Sequence, residues 1–147
     1  MRTALLLMLF AAASWAGGAY GTWTLNATRS TFAGEIQPRS FTIRIEPHAK
    51  GEVLTVDRIE ADGRVISSSI LLYLDGTERD FSEGECSGTQ SSRRIDSNTI
   101  EILRNCGAGA WTKLIRRTAP KNQLFLEISE QRHGGRRFER RLVFEKQ

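Results

Sequence analysis

Arg140 lies in the run Phe138-Glu139-Arg140-Arg141-Leu142-Val143-Phe144 near the C-terminal end, and in an extended strand residues two apart share a face. Phe138, Arg140, Leu142 and Phe144 then fall on one side, which sets a guanidinium among apolar neighbours. Such a charge must be paired or hydrated. The anionic head group of a bound molecule would satisfy it, and so would a carboxylate of the chain or a place near a wet opening. The same parity sets Arg58 with Leu54 and Val56, and Arg116 with Ala110, Thr112 and Leu114. The candidate binding residues are therefore Arg140, Arg58, Arg116, Phe138, Leu142 and Phe144, and the chemistry is anion capture beside an apolar surface.

Other chemistries find less support. His48 and His133 are far apart in turn-like contexts, so no metal site is expected. Asp80, Glu83 and Glu85 lack the ordered ligand spacing of a calcium loop. Ser67, Ser68 and Ser69 sit in a strand-like run without a G-x-S-x-G elbow or a nearby His. No P-loop and no G-x-G-x-x-G after a strand is present. No catalytic residue is nominated, no cofactor is implied, and the chain is not expected to be an enzyme.

The elements that must position these groups belong to a chain of 147 residues, 39% hydrophobic and 26% charged, with 3 Pro and 2 Cys. That profile excludes a disordered tail, a collagen-like repeat and a polytopic membrane protein. Residues 1–16 read as a secretory signal peptide: Arg2, the apolar run from Ala4 to Ala13, then Ser14 and Ala16 as small residues three before and one before the expected cleavage at Ala16/Gly17. The apolar run is too short to span a bilayer, and no later segment approaches the roughly 20 residues needed. The expected product is one domain, residues 17–147, in the periplasm or secreted. In that oxidising setting Cys86 and Cys106 are expected to form a disulfide, since their spacing is unlike the C-x-x-C of redox motifs.

Charge divides unevenly along that domain. Residues 17–85 carry 7 basic and 11 acidic groups, whereas residues 86–147 carry 13 and 6. A basic half can attract anionic surfaces, but outward strand positions also account for it, and specific nucleic-acid binding is not expected.

Alternation and turn signals predict strands throughout. Trp23 and Leu25 open the pattern; Phe41, Ile43 and Ile45 alternate with polar residues; residues 53–59 follow the Lys50-Gly51 turn. Asp62-Gly63 and Asp75-Gly76 bound residues 65–74, which predicts a hairpin between the third and fourth strands. Later strands are expected at residues 93–95, 99–103, 111–117, 123–129 and 138–145. Residues 27–39 are left open, and residues 77–92 read as a loop or frayed strand beside the disulfide. Short local turns favour antiparallel neighbours, and about eight to ten strands without a linker suggest a single closed up-and-down meander.

The opening Gly21-Thr22-Trp23-Thr24-Leu25, the two Asp-Gly turns, the segment Arg94-Ile95-Asp96-Ser97-Asn98-Thr99-Ile100-Glu101 and the ending Val143-Phe144-Glu145-Lys146-Gln147 together resemble the small exported lipocalin-like proteins of bacteria. Lipocalins and fatty-acid-binding proteins, in the wider calycin group, also begin with a G-x-W strand. The resemblance implies an all-β antiparallel barrel with Trp23 as a structural plug, a monomer holding a small hydrophobic or amphiphilic molecule. One departure matters: the R-x-Y carboxylate clamp of fatty-acid-binding proteins would fall on Leu142 and Phe144, so it is not carried over. The alternative from a different class is a solid barrel that contacts a partner or an anionic envelope surface through Arg116, Arg117, Arg136, Arg137 and Arg141.

Overall fold

The computed structural model describes residues 18–147, so the expected signal peptide lies outside the described residues. Ten strands follow in order: β1 (Gly21–Leu25), β2 (Ser40–His48), β3 (Gly51–Ile59), β4 (Val65–Leu72), β5 (Arg79–Glu83), β6 (Cys86–Asp96), β7 (Thr99–Gly107), β8 (Ala110–Ala119), β9 (Gln123–Gln131) and β10 (Arg137–Lys146). Together they make one antiparallel sheet in the order β4-β3-β2-β1-β10-β9-β8-β7-β6-β5. Pairing of β1 with β10 places the two ends of the described chain mid-sheet, and curling makes the sheet an all-β barrel.

The expected closure needs correction. The strand ladder stays open between β4 and β5, which are its two edges. At one end the gap is bridged by the connecting segment instead: Asp75 pairs with Arg93, and the Gly76 amide donates to the Ser92 carbonyl at 2.8 Å. Ser92 Oγ also accepts from the Leu74 amide at 2.9 Å. The polar backbone that leaves β4 is thus satisfied by β6, not by β5.

A second correction concerns residues 77–92, which form the β5–β6 hairpin. Its strand character was masked by Gly84, Gly88 and several serines, yet the glycine at 88 is what lets β6 lie close to β7. A Cβ there would meet the Asn105 carbonyl oxygen at 1.9 Å. Residues 27–39 hold a short 3-10 turn, Ala27–Arg29, capped by Asn26 Oδ1, and then irregular chain that runs to β2.

The β3–β4 turn behaves as its residues require. The Glu60 amide receives no help from a long loop: it donates to Arg64 O at 2.9 Å, closing the β3–β4 hairpin around Asp62-Gly63, where Gly63 takes φ 90°. β4 ends at Leu72, two residues earlier than expected, because Leu74 adopts φ 58° and leaves the strand.

Alternation along the strands sends one set of side chains inward. At the end bounded by the β2–β3 and β8–β9 turns, Trp23, Ile45, Leu124 and Phe144 are at most 1% exposed and form the floor. Phe41 meets Phe144 edge-to-face at 5.2 Å between ring centres. Trp23 Nε1 donates to the Ala19 carbonyl at 2.8 Å, so its one polar atom is satisfied inside the plug. A second cluster, Leu72, Ile100 and Ile102, packs behind the β4–β5 gap.

Candidate functional site

Register across β6–β10 stacks the inward residues in rows. The outermost row runs Gln90, Arg104, Thr112, Glu130, Phe138; the next runs Ser92, Ile102, Leu114, Ile128, Arg140; the next, Ile100, Arg116, Leu126, Leu142. The facing wall contributes Arg58, Val56 and Leu54 from β3, opposite Ile66, Ser68 and Ile70 of β4. An apolar belt therefore separates a polar mouth from a polar bar near the floor.

That bar is Glu52 with Arg116. Their strands, β3 and β8, are not neighbours in the sheet, so the ion pair of 2.5 Å spans the barrel. The side chains are 1% and 5% exposed, which leaves each charge dependent on the other. Beside Glu52, Gly51 lets β3 lie close against β4: a Cβ on Gly51 would lie 1.9 Å from the Leu72 carbonyl oxygen.

Between bar and mouth lies a hollow of about 230 Å³, lined by the apolar belt and by Arg58, Arg104, Arg116 and Arg140, with Glu83 and Glu130 as its carboxylates. A second hollow of about 280 Å³ at the mouth shares Phe41, Arg58, Glu130, Arg140 and Leu142 with the first, and Phe32, Glu35, Ile36 and Pro38 of the β1–β2 connection form its outer wall. That connection is tied down by Arg132, 2.8 Å from Glu35 and 3.0 Å from Glu130. Burial works against the charge on Arg132, but Glu130 and then Glu35 raise its pKa on balance.

Arg140 faces inward and lines both hollows, with Nη2 donating to Glu130 Oε1 at 3.2 Å. Arg58 also faces inward, 2.5 Å from Glu60 and 5.5 Å from the centre of the Phe41 ring. Arg116 lies in the bar and so is absent from the outer basic face. Leu142 lines both hollows. Phe138 lies under the guanidinium groups of Arg132 and Arg136, at 3.9 and 4.9 Å, and Phe144 is buried in the floor; neither lines a hollow. Cys86 and Cys106 are joined, linking β6 to β7 at the rim.

Three interior residues are absent from the sequence-based candidates although the same parity reaches them: Glu52, Arg104 and Glu130, the last following Leu124, Leu126 and Ile128 on one face of β9. Glu52 precedes Leu54, Val56 and Arg58 on one face of β3, and Arg104 follows Ile100 and Ile102 on one face of β7. Arg104 donates from Nε to Gln90 Oε1 at 2.8 Å, and its guanidinium lies 4.6 Å from the centre of the Phe81 ring. Burial lowers its pKa, opposed by the more distant charge of Glu83.

No family model matches the chain, and no curated protein matches it. Among solved structures it is similar to a Schistosoma mansoni fatty acid binding protein in complex with arachidonic acid, with a TM-score of 0.62 over 88% of this chain and 96% of that one. The chain folds as a fatty-acid-binding-protein-like barrel. At 9% identity the likeness is one of fold, and it agrees with the calycin-type barrel implied by the G-x-W opening. Among the described residues of this fatty-acid-binding-protein-like barrel, no helix is long and apolar enough to cross a membrane.

Proposed function

We propose that this chain is an exported, non-catalytic carrier whose barrel interior holds a small hydrophobic or amphiphilic molecule. The observation that carries the reading is the layered interior: an apolar belt around a hollow, with guanidinium groups at both ends of the belt. An apolar surface would take a hydrocarbon portion, and polar rows would orient a head group. The solved neighbour, a fatty acid binding protein in complex with arachidonic acid, supports a ligand of that general kind. The inner hollow of about 230 Å³ is below the roughly 300 Å³ typical of ligand sites, so the reading favours a small ligand or one that extends into the mouth.

The same volume favours a second reading, a solid barrel acting through its outer basic face. Arg117, Arg137 and Arg141 remain on outward positions of β8 and β10, with Arg136 in the turn before β10. Native mass spectrometry of the protein from its own host, then denaturation and identification of released small molecules, separates the two. The carrier reading expects a stoichiometric amphiphile or apolar molecule; a bare chain under gentle ionisation, with no uptake of added amphiphiles, would instead support the interaction module. In the same spectra export predicts a chain beginning at Gly17 and lighter by two hydrogens than its reduced form.

A further inference from the structure

The interior cations are not equivalent. Arg116 is held by Glu52, Arg58 by Glu60 and Arg140 by Glu130, and each thereby spends its charge on the chain. Arg104 forms no ion pair among the described residues. It is nonetheless held in place: Gln90 fixes Nε, and Phe81, itself buried, lies against the guanidinium plane. A neutral amide and an aromatic face orient a cation without neutralising it. Its side chain lines the inner hollow beside Thr112, the residue paired with it across β7 and β8. Glu83 and Glu130 also face this hollow, but Glu130 already serves Arg132 and Arg140.

We propose that Arg104 is the anchor for a single anionic head group, with the ligand's short apolar tail directed inward from the mouth along Ile102, Leu114 and Val56 towards the Glu52–Arg116 bar. This rests on the carrier reading. The direction follows from the pairing. The cation near the floor is already paired across the barrel, whereas the one held by no ion pair stands in the outermost row. The distance along β7 from the row of Arg104 to the row of Arg116 is four residues, about 13 Å, so the bar sets a limit on tail length. Charge-assisted hydrogen bonds from a guanidinium would make an anionic amphiphile bind about tenfold or more tightly than its neutral analogue.

The test is an NMR titration of the disulfide-bonded protein with octanoate, 1-octanol and octylammonium. It compares the natural chain with Arg104→Met, which keeps most of the packing stem, and with Arg94→Gln, which removes an exposed cation from β6. The expected result is a preference for octanoate over 1-octanol of about tenfold or more that disappears in R104M and survives in R94Q. Equal binding of octanoate and 1-octanol, or a preference that survives R104M, overturns the anchor and leaves the carrier reading standing. If none of the three ligands binds the natural chain, the carrier reading falls and takes the anchor with it. Should R104M not fold, the Arg104 guanidinium resonances of the natural chain decide: a response to octanoate but not to 1-octanol upholds the anchor, and the same response to both, or to neither, rejects it.

Discussion

Glu52 and Arg116 show what a single inward charge costs and what it gains. Removing either ion from water is expensive, and the partner across the barrel is the compensation. Losing one partner leaves the other buried and uncompensated. Glu52→Leu or Arg116→Met alone is therefore expected to lower the unfolding free energy by about 3–5 kcal/mol, as read from urea denaturation. The double variant Glu52→Leu with Arg116→Met, which removes both charges, is expected to recover most of that loss; a double loss equal to the sum of the singles would mean that the two side chains do not act as a pair. Parity along one strand identified Arg58, Arg116 and Arg140 as inward. It could not say that Arg116 would meet Glu52 or that Arg104 would be left without an ion pair among the described residues, because a partner lies on another strand.

At the scale of elements, three features meet at the rim end of β7: the Cys86–Cys106 disulfide to β6, the close approach of β6 at Gly88, and the register shift against β8 between Asn105 and Gly107. The bridge spans 20 positions, and opening it frees the unfolded chain. Replacing both cysteines by serine is expected to reduce stability by roughly 3 kcal/mol, seen as a lower denaturation midpoint with a steeper slope, because the freed unfolded chain exposes more surface. Gly88→Ala is expected to be damaging even with the disulfide intact, because the added carbon meets backbone and not a movable side chain; a thermal midpoint unchanged from the natural chain would contradict this. Most strands were legible from alternation and Asp-Gly turns. The β5–β6 hairpin was not, since small and polar residues there supply no apolar rhythm and its pairing is set by neighbours.

For the whole molecule, acid is the informative perturbation. The carboxyls of Asp62, Asp75, Asp96 and Glu101 are all held below their ordinary range: Asp62 first by the Arg64 amide, Asp75 first by the Arg79 guanidinium, Asp96 first by the Asn98 amide, and Glu101 first by Arg93. Because the folded values are depressed, their contribution is present above the unfolded carboxylate pKa values near 4 and is lost as pH falls through the folded ones. Stability should thus change little from pH 7 to 5 through these groups and decline below about pH 4, where the excess of basic residues also adds repulsion. Urea melts across that range check it; a decline centred near pH 6 would point to other groups. What the sequence by itself determined is local and periodic: β alternation, tight turns, the inward parity of particular arginines, and a pair of cysteines at a bridgeable spacing. The tertiary structure decided where the ladder stays open, that the bar near the floor joins β3 to β8, and which interior cation forms no ion pair among the described residues. The physical reason is that an alternating pattern fixes a side chain's face from two neighbours, whereas its counter-charge depends on the register and curl of strands brought together from far along the chain.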